Sequence, residues 1–452
     1  VQLTLAQLTE ILETSPIHSS DESDRAIAKG VVTDTRSLRP GEVFVALRGE
    51  QFDGHQFAAT AVANGAIAII ADRPLDLNVP QFCVDDTLAA YQKIARWWRD
   101  RFSIPIIAIT GSVGKTTTKE LIAAMLQTQG KVLKTAANYN NEIGVPQTLL
   151  QLSSEHDFAV IEMAMRGEGQ IALLAQITRP DIAVITNVGT AHIGLLGSEA
   201  AIARAKCELL DEMPETAIAI LNQDNSRLMD TAATVWSGKT VTFGLDGGDM
   251  TGELVDSRTL KFDGHAYPLP IPGRHNALNY LAALAVAKVL SIDLAPLRQG
   301  ISVSLPSGRA KRYDLPNDIV VLDETYNAGL ESMLAALDLL AETPGQRRIA
   351  VLGTMKELGS RSLEFHRQVG EKVKELQLDA LYILADRAEA EAISEGAKGL
   401  PWIDVADIDI DGSRDALAGR LRAFIQPGDV LLFKASHSVA LDRVVERLRS
   451  SF

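Results

Sequence analysis

Thirteen residues, Ile106–Thr118 (IIAITGSVGKTTT), constrain this chain more than any other stretch. Ile106, Ile107, Ala108 and Ile109 read as a buried strand. Gly111-Ser112-Val113-Gly114-Lys115-Thr116 then turns the chain. Leu121, Ile122, Met125 and Leu126 fall on one face of a helix that Gly130 ends. Strand, glycine turn and helix are the setting of a phosphate-binding loop. The glycines let backbone N–H groups approach a polyphosphate, and the helix presents its positive end. Lys115 can reach the β- and γ-phosphates of ATP, and the Thr116 hydroxyl can ligate Mg²⁺. Gly111, Ser112, Val113, Gly114 and Thr117 complete the expected nucleotide cradle. The spacing is not the usual one, because Ile109 stands where that motif has its first glycine.

A chain of 452 residues is too long for one core and predicts two to three domains. Its net charge of −14 argues against a nucleic-acid partner, although a local basic cleft for phosphates stays compatible with it. The two cysteines, Cys83 and Cys207, have no metal-type spacing and suggest a reducing compartment. No apolar run is long enough to span a bilayer, and Val1–Glu10 lacks the pattern of a signal peptide. A cytoplasmic protein without membrane insertion is the expectation.

Strands and helices alternate from the start. Val31-Val32, Val43–Leu47, Ala66–Ile70 and Phe82–Val84 read as strands, and Asp85-Asp86-Thr87 caps a helix with stripe Leu88, Tyr91, Ala95 and Trp98. Ser103-Ile104-Pro105 breaks it and marks a boundary. Two polar clusters interrupt this unit, Thr33-Asp34-Thr35-Arg36 and Phe52-Asp53-Gly54-His55, and each taken alone is a turn. After the phosphate loop come an amide-rich loop, Asn138–Gly144, and a strand ending in Glu162, whose carboxylate falls at the sheet edge beside the phosphates as a candidate Mg²⁺ ligand. The strand Asp181–Asn187 leads into His192 at the same edge. Lys206 lies on a helix begun by Ser198, and Ala277–Leu290 reads as a helix apolar all round, hence buried. Past Pro306-Ser307-Gly308-Arg309 the pattern restarts, with strands at Ile319, Ile349, Ala380 and Val430 separated by helices. That alternation predicts a parallel sheet.

T-G-x-x-G-K-T-T, E-M-x-x-R-G, T-N-V-G-x-A-H, A-K-x-E-L, G-x-H-N-x-x-N and D-x-x-Y-N-A occur here in order, and together they resemble the Mur ligase family. The N-terminal V-T-D-T-R-S and F-D-G-H-Q-F runs resemble the branch that adds the last dipeptide. The resemblance implies an α/β chain of three domains. Residues 1–103 would be a small α/β domain for the UDP-linked substrate, 104–308 a central P-loop ATPase-like parallel-sheet domain, and 309–452 a Rossmann-like domain for the incoming dipeptide. It implies ATP-dependent amide-bond formation between UDP-N-acetylmuramoyl-tripeptide and D-alanyl-D-alanine, by a monomer, in peptidoglycan precursor synthesis.

It also implies roles for residues. Asp34, Thr35, Arg36, Asp53, Gly54 and His55 would hold the uridine nucleotide, and Asn138, Asn141 and Asn327 the rest of the substrates. Asn279 would contact adenine, and Asp323 the ribose or the Lys115 region. Thr116, Glu162, His192 and a Lys206 carbamylated by CO₂ would hold two Mg²⁺ ions. Lys115, Lys206, His192 and Arg309 would be the catalytic set, with Arg309 meeting the γ-phosphate.

The chain departs from the family pattern at Thr35, at Gly329-Leu330 in place of Asn-Pro, at Thr354 in place of Asp, and at Lys434-Ala435-Ser436-His437 in place of K-G-S-R. All but the first lie where the dipeptide is expected. A ligase adding the third amino acid would carry D-N-P-R, which is absent. A folate-glutamylating ligase would lack the Phe52–His55 type of N-terminal domain. A regulatory module that had lost catalysis has no need of Lys115, Thr116, Glu162, His192 and Lys206 together.

Overall fold

The computed structural model describes residues 1–21, 25–49, 52–408 and 412–452. Besides a two-stranded antiparallel pair, Leu3–Thr4 with Ile27–Ala28, three larger sheets follow one another along the chain, each built mainly on parallel strands. The first runs Val31–Val32, Val43–Val45, Ala68–Ala71 and Gln81–Cys83, all parallel. Its inner strands are short apolar runs buried on both faces, as parallel sheets require. The helix Thr87–Arg99 follows, with the Asp86 carboxylate accepting from the N–H groups of Leu88 and Ala89 at 2.8 and 3.1 Å.

That helix also ties the N-terminal unit to the centre. Trp98 Nε1 donates to the Leu152 carbonyl at 3.0 Å, and Arg99 Nε and Nη2 donate to the carbonyls of Thr178 and Arg179 at 2.7 and 2.6 Å. Those two carbonyls end a helix, where a cation is favourable.

The central sheet places six parallel strands in the order Lys239–Gly244, Ile218–Asn222, Ile182–Ile185, Ile106–Thr110, Phe158–Glu162 and Val132–Lys134. Met250–Asp256 still pairs parallel with Lys239–Gly244, but beyond it the expectation of a parallel sheet fails. Thr259–Phe262 and His265–Pro268 extend the edge from Met250–Asp256 as an antiparallel meander. Asp263 and Gly264, both at positive φ, make its two-residue hairpin turn. The outermost strand is mostly exposed, which antiparallel pairing tolerates and parallel pairing does not. On one face the helices Lys115–Leu126 and Arg274–Val289 pack together, the second buried nearly all round as its composition predicts.

The last sheet runs Lys311–Leu315, Ile319–Glu324, Val430–Lys434, Arg348–Gly353, Ala380–Ala385 and Ile403–Asp407. The four inner strands are the expected ones, and all are parallel. The outer two lie outside the sequence expectation. Lys311–Leu315 (KRYDL) is antiparallel and charged, and Ile403–Asp407 (IDVAD) is half-exposed. Both read as polar because edge strands face water. Among the described residues, no helix is long and apolar enough to cross a membrane.

Loops from the C-terminal strand ends of the central and last sheets meet. Thr190 N–H and hydroxyl donate to the two Glu331 carboxylate oxygens at 2.6 and 3.1 Å. His192 and Gly194 meet Glu357. A cleft between facing strand ends is where open α/β sheets bind ligands.

Candidate active site

Lys115 opens its helix directly after Gly114, which sits at φ 86°. Helix geometry leaves the N–H groups of the first turn, those of Lys115 and Thr116 among them, without intrahelical partners. The loop is bolted in place from the next strand. Asn187 accepts from Val113 N–H at 2.9 Å through its side chain and from Ser112 N–H at 3.0 Å through its carbonyl. Thr186 Oγ1 and Asn187 Nδ2 donate to the Val113 carbonyl at 2.6 and 3.0 Å. Ser112 Oγ accepts from Gly189 N–H at 2.9 Å. Lys115 Nζ folds back to the Gly111 and Ser112 carbonyls at 2.8 and 3.4 Å, lying across the cradle. Thr117, half-buried, continues the first turn.

Gly114 is required twice over. A Cβ there would lie 2.4 Å from Asn279 Oδ1, and the φ is left-handed. Gly114→Ala is expected to destabilise the chain by about 1–3 kcal/mol from backbone strain alone. Denaturant unfolding should show a lower midpoint, and ATP binding should fall with it.

Glu162 ends its strand as expected and is buried. Its Oε1 accepts from Thr116 Oγ1 at 3.2 Å and from Asn140 Nδ2 at 2.8 Å. Its Oε2 is buried with no hydrogen-bond partner, and the nearest cation is Lys119 Nζ at 3.6 Å. A buried carboxylate oxygen left open beside a threonine hydroxyl is what a hard cation fills. Among the described residues, no three His, Cys, Asp or Glu side chains form a ready-made metal cluster. Such a site suits Mg²⁺, which takes one or two carboxylates and leaves the other positions to water and phosphate.

His192 stands at φ 66°, with Nδ1 2.5 Å from Glu357 Oε2. Burial first, and then the charge of Lys115, lower its pKa. Lys206 is buried, with no hydrogen bond or ion pair to its amine among the described residues. Burial and then Lys115 lower its pKa well below the ordinary lysine value. Lys115 is itself lowered by burial, with Glu162 pulling it up and Arg309 pulling it further down. Lys115 therefore lies within electrostatic reach of Lys206, His192 and Arg309. Arg309 lies over the Tyr326 ring at 4.0 Å, and its Nε is buried without a partner. Four basic groups with one uncommitted guanidinium donor make a receptor for anionic charge.

Other expected residues have partners within the chain. Asn279 is buried, its Oδ1 accepting from Thr118 Oγ1 at 3.2 Å and its Nδ2 donating to Asn276 Oδ1 at 3.3 Å. It supports the loop from beneath. Asp323 is buried, and its Oδ1 accepts from Thr325 N–H and hydroxyl at 3.1 and 2.6 Å, which shapes a turn. Asn141 Oδ1 accepts from Gly144 N–H at 2.9 Å and starts the next helix, while Asn138 is exposed. Asn327 is exposed, and its carbonyl accepts from Lys434 Nζ at 3.0 Å.

In the N-terminal unit both polar clusters lie at C-terminal strand ends. Arg36 forms a forked pair with Asp34, and the Thr35 carbonyl accepts from Asn64 Nδ2 at 3.2 Å. Buried His55 meets Asp53 through Nδ1 at 2.5 Å and accepts from Asp72 N–H through Nε2 at 3.1 Å. The His55 hydrogen bond, above all, lowers Asp53 to about 2. Gly54 lies against Leu47, whose carbonyl would sit 2.6 Å from a Cβ.

Several contributors were not singled out from the sequence: Asn140, Lys119, Glu331, Glu357 and Glu208. The Glu208 carboxylate accepts from Gly169 and Ala172 N–H at 2.7 and 3.1 Å and fixes the neighbouring helix start. At the departing positions the chain builds another polar network. Thr354 Oγ1 donates to Asp386 Oδ2 at 2.6 Å, and Lys356 Nζ pairs with the same oxygen at 2.7 Å. Ser436 Oγ accepts from Lys356 N–H at 3.0 Å, and His437 stacks on Tyr326. A carboxylate from the adjacent strand end thus stands next to the threonine.

Comparison with known proteins gives the same picture. The sequence matches the Mur ligase family catalytic domain at residues 28–98, the Mur ligase middle domain at 109–287 and the Mur ligase glutamate ligase domain at 308–437. A UDP-N-acetylmuramoyl-tripeptide–D-alanyl-D-alanine ligase of Synechocystis is 56% identical over 99% of this chain and 98% of its own length. A crystal structure of MurF from Acinetobacter baumannii superposes with a TM-score of 0.89 at 30% identity, covering 100% of this chain and 99% of that one. The MurF ligase of Thermotoga maritima in complex with ADP superposes with a TM-score of 0.83 at 33% identity, over 94% and 97%.

Proposed function

This chain belongs to the Mur ligase family, and from that premise we propose how its residues carry out the reaction. It is an ATP-dependent ligase that joins D-alanyl-D-alanine to UDP-N-acetylmuramoyl-tripeptide, the last ligation in peptidoglycan precursor synthesis. The observation that carries the mechanism is the Lys115 amine lying across the glycine cradle at the start of the helix Lys115–Leu126, 2.8 Å from the Gly111 carbonyl.

The terminal carboxylate of the tripeptide attacks the γ-phosphorus of ATP. A new O–P bond forms, the β–γ bridge breaks, and ADP leaves an acyl phosphate. The loop N–H groups and Lys115 hold the phosphates, and Arg309 meets the charge on the transferring group. The amine of D-alanyl-D-alanine then attacks the activated carbonyl. Inorganic phosphate departs, a proton is lost, and an amide remains.

Mg²⁺, held by Thr116 and Glu162 with His192 nearby, would neutralise phosphate charge. A carbamate on Lys206 would add an oxygen ligand in place of an ammonium that repels the metal. The N-terminal clusters, Asp34–Arg36 and Asp53–His55, hold the uridine nucleotide. The loop Asn138–Asn141 and Asn327 face the peptide ends. We set the domain limits at 1–103, 104–308 and 309–452, with the site drawn from one chain acting as a cytoplasmic monomer. Closure of the last domain keeps water from the acyl phosphate.

The test is phosphate release from ATP and Mg²⁺ with UDP-N-acetylmuramoyl-tripeptide, with and without D-alanyl-D-alanine, with product mass recorded. Release that needs both substrates, and a product heavier by one dipeptide residue, is the expected result. Release with another amine alone would move the acceptor assignment. No release with any amine would favour a regulatory nucleotide-binding module.

A further inference from the structure

The loop after the strand Arg348–Gly353 is held from within by an imidazole. His366 lies in the second turn of the helix Ser362–Glu375 and is fully buried. Its Nε2 accepts from the Met355 N–H at 2.9 Å, and its Nδ1 donates to the Ser362 carbonyl at 2.7 Å. A backbone N–H can only donate and a carbonyl can only accept, so these two partners require a neutral ring with its hydrogen on Nδ1. Burial, outweighing the nearby Glu389 and Asp386 carboxylates, lowers its pKa in the same sense. Met355 is buried too, so the ring, and not water, satisfies its N–H.

The residues on either side of Met355 face the cleft. Thr354 Oγ1 and Lys356 Nζ both donate to Asp386 Oδ2, at 2.6 and 2.7 Å. Ser436 takes the flanking backbone groups, donating its N–H to the Thr354 carbonyl at 3.0 Å and accepting the Lys356 N–H on its hydroxyl at 3.0 Å. His437, next in the chain, stacks on Tyr326, the ring that carries Arg309 at 4.0 Å. Glu357, next after Lys356, meets His192 and Gly194 across the seam between the central and last units. The loop thus forms part of the cleft rim, with the Lys356 and Asp386 side chains 47% and 32% exposed. An ammonium and a carboxylate side by side complement a zwitterion such as a free dipeptide.

We propose that His366 is a positioning residue for the acceptor, setting through the Met355 N–H the loop Thr354–Lys356 that the incoming dipeptide meets. The ring itself touches no substrate. By fixing the backbone between Thr354 and Lys356 it keeps both side chains in register with Asp386. The consequence for the dipeptide rests on the ligase reading; the setting of the loop does not.

The experiment uses the full chain and two variants. His366→Asn keeps an amide near the Nδ1 position but does not reach Met355, whereas His366→Gln brings an amide oxygen to the Nε2 position. His366→Asn is expected to lower kcat/KM for D-alanyl-D-alanine by about 10- to 100-fold, mainly through KM, the scale of loss from a misplaced substrate contact. KM for ATP and for the UDP-linked substrate should not change, and His366→Gln should recover most of the loss. A merely structural role would weaken all three substrates together, and that result overturns the proposal. A second readout needs no turnover. In ¹⁵N-methionine-labelled protein, the Met355 amide is assignable among 8 methionines by difference against Met355→Leu. It should move in His366→Asn and stay near its wild-type position in His366→Gln. In ¹⁵N-histidine-labelled wild type, long-range proton–nitrogen correlation should show His366 neutral and protonated on Nδ1. A charged or Nε2-protonated ring at neutral pH overturns the proposal even if the variants do not fold. An unchanged dipeptide KM in a folded His366→Asn protein overturns it as well. The expected Met355 shifts in a chain without ligase activity would instead overturn the ligase reading and leave the setting of the loop supported.

Discussion

Lys115→Ala is expected to lower kcat for ligation by about 100- to 1000-fold, the effect of removing one preorganised charge from a transferring group. The lysine begins the helix Lys115–Leu126, and its amine already lies over the cradle, 2.8 Å from the Gly111 carbonyl. Burial lowers its pKa, with Arg309 pushing the same way against Glu162. The folded chain alone therefore gives this ammonium an unfavourable setting, and a polyphosphate reverses that. The loss should appear in turnover and not in folding. Thermal unfolding without ligands should be unchanged or slightly raised, while ATP should stabilise the variant far less than wild type. Lys115→Arg restores charge but not shape, because a planar fork replaces a compact ammonium, and it should recover little activity. A Lys115→Ala protein that turned over ATP within threefold of wild type would remove this residue from the catalytic set.

The phosphate loop was legible because strand, glycine turn and amphipathic helix are all local patterns, and Gly114 meets a local demand for φ 86°. Glu162 was legible for a related reason: a carboxylate ending an apolar strand must emerge at the sheet edge. The buried helix Arg274–Val289 declared itself by its all-round apolar sequence, although it begins three residues before the expected Ala277. Asn279 shows what lies beyond such reading. Its burial follows from the helix, but the direction of its amide depends on Thr118 and Gly114, which belong to a separate stretch. The strand-end position of Asp323 is legible too, but its bond to Thr325 is not, since a strand end allows a ligand contact as well as a turn.

The seam residues were out of reach altogether. Glu331 and Glu357 meet Thr190 and His192 across 141 and 165 residues of chain, and each alone reads as an ordinary surface glutamate. The antiparallel edge of the central sheet was partly within reach. Asp263-Gly264 is a hairpin signal, and the half-exposed strands beside it alternate as antiparallel strands do.

Lys206 supports the second large prediction. It is 2% exposed, with no hydrogen bond or ion pair to its amine among the described residues, and burial ahead of Lys115 lowers its pKa well below the ordinary value. An unpaired buried ammonium is costly, so the amine is driven toward its neutral form. A neutral amine is the form that attacks CO₂. In that reaction its lone pair would bond to carbon, a proton would leave, and a lysine beside the Lys115 cation would become an anion. Lys206→Ala is expected to lower kcat by about 100- to 1000-fold. Wild-type activity should fall in CO₂-stripped buffer and return with bicarbonate, and Lys206→Ala should ignore bicarbonate. Labelled ¹³C-bicarbonate should give a carbamate carbon signal in wild type that the variant lacks. Lys206→Met separates chemistry from packing, since it keeps the stem volume and removes only the buried amine. It should unfold at or above the wild-type temperature while remaining inactive. An active Lys206→Met protein would make the residue a filler of the core, and the positive charge of Lys115 would then need an anion from the substrates alone.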